Sequence, residues 1–398
     1  MSIKIFISDI HLSDTTTGDH NITSEMLKGF WRDIKGDIDN ADGDAELIIL
    51  GDFIDVIRST EWKGDMQPWG DAGQIKHTVN SIVNNIINKN NAVFNGFKKY
   101  FSPNITYVIG NHDRMINSKG YDEIRKKIQN ALGLQSTGEE FTSEYRVDNI
   151  PIYAAHGHQY DVYNKIENDT SPIGDAVVTL LINQYPVKVD EILYNHKVYE
   201  DLQEIDNLRP STIAPYWIEH INEHIKVSLL PSKQNALKDT WNKLSDDFFS
   251  HKFVKDWFRI YDGWAPFDDA DKLEVALRHF TETVVERVYK KYLEIKEDFV
   301  KERDQNAMEA LKLIGKYNCD YILFGHTHES DVNLLDVEGS REKYYINTGT
   351  WRDRIVPGGY KKNGIVFGHQ KSVDYVIFTI DDQNKQIKSF QLWNGTIK

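Results

Sequence analysis

Short apolar runs, each emptying into a polar turn, mark the first part of the chain and return near its end. Ile3 to Ile7 is a β-rich run that ends in Ser8-Asp9-Ile10-His11, and a polar loop and a helix around Ser24 to Ile34 follow. Glu46 to Leu50 is the next apolar run and ends in Gly51-Asp52-Phe53-Ile54-Asp55. Glu61 to Gly73, with Trp62, Pro68 and Trp69, has loop chemistry. Gln74 to Tyr100 reads as a helix, because Ile75, Val79, Ile82, Val83 and Ile86 fall at helical spacing. Ile105 to Ile109 leads into Gly110-Asn111-His112-Asp113. After a helix over Tyr121 to Leu132 come two strand-like runs, Glu144 to Val147 and Pro151 to Ala155, the second ending in His156-Gly157-His158. Strand, polar turn and helix in repetition describe an α/β protein whose site lies at the carboxyl ends of its strands.

From about Lys165 to Tyr317 the pattern changes to helices. Leu273, Leu277, Phe280, Val284, Val288 and Tyr292 line one face of a long helix, and Pro210, Pro215, Pro231 and Pro266 divide the segment into pieces. Strand patterns resume with Tyr321 to Phe324. They continue through Val332 to Val337, Lys343 to Asn347, Gly364 to Gly368, Val373 to Thr379 and Gln386 to Trp393, close enough together for antiparallel pairing. The expected organisation is a core in two parts, residues 1–164 and 318–398, with a helical cap inserted over residues 165–317.

Composition narrows the classes. The 398 residues carry a formal net charge of -14, spread along the chain, which argues against a general nucleic-acid groove. A phosphorylated substrate stays compatible, because bound cations reverse the sign locally. The single cysteine, Cys319, excludes an internal disulfide and thiolate metal clusters, and a reducing, cytoplasmic setting is expected. The amino terminus reads as a strand rather than a signal peptide, and no apolar span approaches membrane length.

The strand ends carry the candidate chemistry. Gly325-His326-Thr327-His328 closes the run Tyr321 to Phe324. In an extended segment residues two apart point to the same side, whereas at a strand-to-loop turn the two imidazoles reach two neighbouring points. Asp9 and His11, Asp52, Asn111 and His112, and His156 hang off the other strand ends. Imidazole with carboxylate suits borderline divalent ions: Mn²⁺ first, with Fe, Zn or Ni as alternatives. Taken without His112, these seven protein ligands exceed the need of one ion and suffice for two that share a carboxylate.

Asp9-x-His11, Gly51-Asp52-x-x-Asp55, Gly110-Asn111-His112-Asp113, the strand-end His156 and Gly325-His326-x-His328 resemble, in order, the motifs of the calcineurin-like metallophosphoesterases. The resemblance covers about residues 1–160 and 318–350. It implies an α/β fold, a four-layer α-β-β-α sandwich of two mixed sheets. It also implies one metal on Asp9, His11, Asp52 and His328 and a second on Asp52, Asn111, His156 and His326, with Asp52 bridging. Two ions about 3.5–4 Å apart would clamp a phosphoryl oxygen and turn a bridging water into the attacking hydroxide. By the same resemblance, His112 would assist the leaving oxygen and Asp55 would orient its imidazole. Arg58 and His158 are candidate phosphate contacts, the alternatives being an exposed or ion-paired Arg58, which is the commoner case for an arginine, and a His158 that partners His156. Asn347 would support the ligands, and Trp351 is a candidate substrate wall, with core packing the equal alternative.

Asp52-Phe53-Ile54-Asp55-Val56 lacks the Arg-Gly that follows the second aspartate in Ser/Thr protein phosphatases. Ser8-Asp9-Ile10-His11-Leu12 looks like the UDP-diacylglucosamine pyrophosphohydrolases, which are much shorter and carry Arg where this chain has His112. The expected activity is therefore hydrolysis of a phosphodiester or pyrophosphate in a small or lipid-linked substrate. The alternatives are a nuclease of the same fold, a phosphomonoesterase or a non-catalytic scaffold. Trp217, Trp241, Trp257 and Trp264 are expected mainly in the core of the insertion, where Asp268, Asp269 and Asp271 disfavour a DNA-tracking role.

Overall fold

The computed structural model describes residues 1–41, 43–166, 171–209, 211–225, 228–262, 268–278, 305–361 and 364–396. Its strands are β1 (Ser2–Ile7), β2 (Ala45–Leu50), β3 (Ile105–Val108), β4 (Glu144–Arg146), β5 (Ile152–Ala155), β6 (Tyr321–Phe324), β7 (Asp331–Glu338), β8 (Arg341–Asn347), β9 (Arg354–Lys361), β10 (Gly364–Gln370), β11 (Ser372–Asp381) and β12 (Gln386–Thr396). Among the described residues they form two mixed five-stranded sheets, β12-β11-β1-β2-β3 and β4-β5-β6-β8-β7, and a separate β9-β10 ribbon. Each five-stranded sheet has a parallel centre, β1-β2-β3 in one and β5-β6-β8 in the other. The strands that carry the candidate residues therefore end at a common edge.

Side-chain alternation along these strands builds the layers. Ile3, Ile5, Ile7, Leu47, Ile49 and Tyr107 pack with Leu27, Phe30, Ile34, Val79, Ile82, Phe94 and Ile128. Those partners lie on α1 (Ser24–Asn40), α2 (Ala72–Lys89), α3 (Asn91–Phe101) and α4 (Asp122–Leu132). Phe6, Ile48, Leu50 and Val108, pointing the other way, meet Ile152, Ala154, Leu323 and Ile346 of the second sheet. The outer face of that sheet, through Tyr153, Ile322, Phe324 and Tyr345, covers Ala310, Leu313 and Ile314, which lie in the helical residues 305–317. The order is helices, sheet, sheet, helix. Each fully buried aliphatic side chain contributes about 1.5–3 kcal/mol, so the layer between the sheets fixes their mutual placement more firmly than any exposed ion pair.

Two local expectations change. The helix expected from Gln74 to Tyr100 is broken at Asn90, which is buried and donates its side-chain amide to Ile86 O at 2.9 Å and to Ser13 O at 3.0 Å. That side chain competes for helix carbonyls and tethers the break to the loop after β1. β9 has no counterpart in the sequence reading, because Pro357-Gly358-Gly359 resembles a turn. Here Pro357 sits opposite Phe367 in a two-stranded ribbon with a register shift between Ile365 and Phe367, the setting in which a strand tolerates proline.

The insertion leaves after β5 and returns as β6, and these two strands are parallel neighbours, with Tyr153 opposite Ile322. Among its described residues no strand is present. Leu181, Tyr185, Trp217, Leu237, Trp241, Trp257 and Leu273 share a hydrophobic cluster that also takes in Ile355 of β9. Trp217, Trp241 and Trp257 are thus core residues of the insertion. Trp264, Pro210, Pro266, and Phe280, Val284, Val288 and Tyr292 of the expected long helix lie outside the described residues; that helix is described as Asp269–Arg278. Among the described residues no helix is long and apolar enough to cross a membrane.

Candidate metal centre

Beyond their strands the chain segments turn sharply. Asp9, His11, Asp52, His326 and His328 have φ of 53°, 51°, 51°, 71° and 63°, half of all the non-glycine residues with positive φ among those described. Left-handed backbone costs about 1–2 kcal/mol per residue, and it is retained because the loops are stitched together. His11 N–H donates to Asp52 O at 2.8 Å, Asp55 N–H to Leu12 O at 2.8 Å and Gly325 N–H to His156 O at 2.9 Å. Two glycines make room. A Cβ on Gly51 (φ 80°) would lie 2.5 Å from His156 Nδ1, and one on Gly325 would lie 2.6 Å from Asp9 Oδ2. Asn347, buried, donates to Gly325 O at 2.8 Å and so holds the turn that carries both histidines.

The turn separates His326 from His328. His328 joins Asp9 and His11, whereas His326 joins Asp52 and His156. In the first group His328 Nε2 lies 3.0 Å from His11 Nε2 and 3.3 Å from Asp9 Oδ1, and His11 Nε2 is 3.7 Å from Asp52 Oδ2. In the second, His156 Nε2 lies 3.2 Å from Asp52 Oδ2 and 3.0 Å from Asn111 Oδ1. Asp52 Oδ2 faces both groups, while its Oδ1 accepts the His112 backbone N–H at 2.8 Å.

The donor set fits cations. His11 gives Nδ1 to Asp55 Oδ2 at 2.8 Å, and His156 gives Nδ1 to Leu50 O at 2.7 Å. In the neutral imidazoles this leaves the His156 Nε2 lone pair facing Asp52 and Asn111 oxygens, acceptor against acceptor, and the His11 Nε2 lone pair facing His328 Nε2 at 3.0 Å. Asp9 Oδ1 is buried and makes no hydrogen bond of acceptable geometry. These buried His/Asp groups could hold a metal ion.

Charge points the same way. Burial would raise Asp9, yet the imidazoles of His328, His156 and His11 hold it well below the usual carboxylate range. Asp52 and Asp55 are likewise lowered against burial, Asp52 chiefly by His156 and His112 and Asp55 chiefly by His112 and His11. Burial opposes the charged form of His156, but Asp52 and Asp9 raise it to about 10. His112 is raised to about 9 by Asp55 and Asp52, again against burial. His328 is pushed well below its ordinary value by burial and by Arg209.

No protein-family model matches the chain, and no curated protein matches it.

Asp9, His11, Asp52, Asn111, His156, His326 and His328 therefore all meet at one edge, with Asp55 accepting from His112 Nδ1 at 2.8 Å as well as from His11. Two expected substrate contacts do not stand. Trp351 is buried, packs edge-on to Phe30 and donates Nε1 to Asp374 O at 2.8 Å, so it belongs to the core beneath the site and walls no cleft. Arg58 is fully buried under the insertion and ion-paired with Asp206 instead of open to substrate. His158 lies beside His156 and His326, ring centroids 5.4 and 6.4 Å away, with its Nδ1 buried and unbonded.

Two residues had no signal in the strand-end motifs. Asp161 accepts from His326 Nε2 at 2.9 Å and is held by Asn164 at 2.6 Å. Arg209, from the insertion, reaches His328. Asp161 sits five residues past His156 in a turn whose shape the sequence does not disclose, and Arg209 comes from a segment with no motif.

One consequence is measurable. A metal on His156 Nε2 must displace a proton that a group at about 10 retains at neutral pH. Apparent Mn²⁺ affinity should rise as pH increases from 6 towards 9, with proton release on binding. Titration calorimetry in buffers of different ionisation enthalpy reads that release, and its absence at pH 7 would show that the metal displaces no proton from His156.

Proposed function

We propose that this chain is a binuclear metal-dependent phosphoesterase of the calcineurin-like type, hydrolysing a phosphodiester or pyrophosphate bond. The observation that carries the proposal is Asp52 Oδ2, placed 3.7 Å from His11 Nε2 and 3.2 Å from His156 Nε2, one carboxylate oxygen serving two ligand groups. Asp9, His11, Asp52 and His328 would hold one ion, and Asp52, Asn111, His156 and His326 the other, Mn²⁺ being the first choice for nitrogen and carboxylate donors. When bound, two such ions lower the pKa of a shared water and offset charge on phosphoryl oxygens.

The chain supplies the rest. Asp55 takes His11 on one oxygen and His112 on the other, each at 2.8 Å, so one buried carboxylate orients both a ligand and a proton donor. With Nδ1 committed to Asp55, His112 is left with Nε2–H to offer a leaving oxygen. It keeps 18% of its side chain exposed, whereas His11, His156 and His328 keep 4% or less. These three ligands are sealed in, His326 keeps 11% of its side chain exposed, and the proton donor is within reach of substrate. Cys319, buried and unpaired, suits a reducing, cytoplasmic setting.

The test is a substrate panel with added Mn²⁺: model mono- and diesters of phosphate, nucleotides, nucleic acids and lipid pyrophosphates. Diesters or pyrophosphates should be preferred. Preference for monoesters would remove the diesterase part, and a protein that takes up no metal and hydrolyses none of these would overturn the whole proposal.

A further inference from the structure

The insertion brings a guanidinium to the metal centre. Its short turn Glu204–Asn207 is clamped to the core, because Asp206 is ion-paired with both Arg58 and Arg352, and Asn207 Oδ1 accepts from Arg352 Nε at 2.8 Å. Leu208 then bridges to Ile355, and the Arg209 N–H donates to Ile355 O at 2.9 Å. The backbone of Arg209 is fixed by these contacts. Its Nη1 is taken by the carbonyls of Asp206 and Leu208 at 2.9 and 2.8 Å. The other edge faces the site: Nε and Nη2 lie 3.2 and 3.0 Å from His328 Nδ1, and Nη2 lies 3.4 Å from His328 Nε2.

A guanidinium has donors only. If His328 coordinates a cation through Nε2, the neutral imidazole carries its proton on Nδ1, and Arg209 then faces another donor. Its Nε/Nη2 edge needs an acceptor, and with cations beyond it an anion, which also offsets the mutual repulsion, suits that edge better than a neutral acceptor. A tetrahedral phosphoryl group presents two oxygens to such a planar edge while reaching the ions with a third.

We propose that Arg209 binds the phosphoryl group of the substrate. This rests on the phosphoesterase proposal and adds that the insertion completes the site as well as covering it. Inorganic phosphate is the probe, with its Kd measured by calorimetry on the Mn²⁺-loaded full chain and bound metal counted by elemental analysis. Arg209→Ala is expected to keep the wild-type metal content and to weaken phosphate binding about 10- to 100-fold, the scale of losing a charged hydrogen-bonded contact. Arg209→Lys, which keeps the charge and loses the planar edge, should fall between the two. Unchanged phosphate affinity in Arg209→Ala overturns the assignment, as does a wild-type protein that takes up no phosphate. Loss of metal from both variants also overturns it, since Arg209 would then be a prop for His328. Hydrolysis is scored separately: a wild-type protein that binds Mn²⁺ and, through Arg209, phosphate, yet cleaves no ester, retains the anion site and loses the reaction.

Discussion

Asp52→Asn is expected to empty the metal centre of at least one ion and to lower turnover by at least about 10²–10³-fold, the scale of losing one preorganised electrostatic contact with a transition state. The substitution is nearly isosteric, and the Oδ1 that accepts the His112 N–H at 2.8 Å can be reproduced by the amide oxygen. What changes is Oδ2, which becomes an NH₂ group 3.2 Å from His156 Nε2 and 3.7 Å from His11 Nε2. A donor then points at two nitrogens that should each hold a cation, and the charge that chiefly raises His156 is gone. Elemental analysis with steady-state kinetics separates the outcomes. A variant that holds two ions per chain and turns over at the wild-type rate would refute the bridging role of Asp52, the observation on which the proposal rests.

How much of this was legible in the sequence depends on what kind of constraint sets each part. Strand ends were readable because burial on both faces demands continuous apolar runs such as Leu47 to Leu50, and the ligand-type residues follow them directly. The layers followed from alternation in the same runs. Backbone sign was not readable: nothing in Asp9-x-His11 or His326-x-His328 announces φ near +50° to +70°, yet those values send His326 and His328 to different groups. Local composition also misled where tertiary contacts overrode it. Pro357-Gly358-Gly359 pairs as a strand because β10 is its partner, and Asn90 interrupts a good helical pattern because Ser13 O competes for its amide.

The largest gap was the insertion. Arg58 looked like a residue beside the site and Trp351 like a wall, since neither sequence position reveals that Asp206 caps the first and that the second packs against Phe30. The same contacts explain why the insertion is held close. Asp175 pairs with Arg114 two residues past His112, and Asp206 pairs with Arg58 and Arg352. These pairs link the insertion to the segments that carry the ligands, and breaking one would leave a buried charge uncompensated.

His112→Ala should lower kcat by about 10²–10⁴-fold, the range for a positioned proton donor, while leaving metal content unchanged. The side chain touches Asp55 at 2.8 Å and is partly exposed, and its ring lies edge-on to His11 with centroids 4.8 Å apart. Its removal leaves Asp55 still paired with His11, so the first ligand group stays oriented. The size of the loss should depend on the leaving group. An alkoxide needs a proton as the P–O bond breaks, whereas a nitrophenolate leaves as a stable anion, so the defect should be large for alkyl diesters and small for nitrophenyl ones. Metal loss in His112→Ala would make the residue a ligand, and equal defects for both leaving groups would exclude proton donation. The raised value of about 9 gives the sign with pH: His112 is a donor below it, and nearby cations, opposing its positive charge, can only lower that limit. Activity on alkyl diesters should therefore fall on the alkaline side at or below about pH 9 in the wild type, and that limb should be missing in His112→Ala.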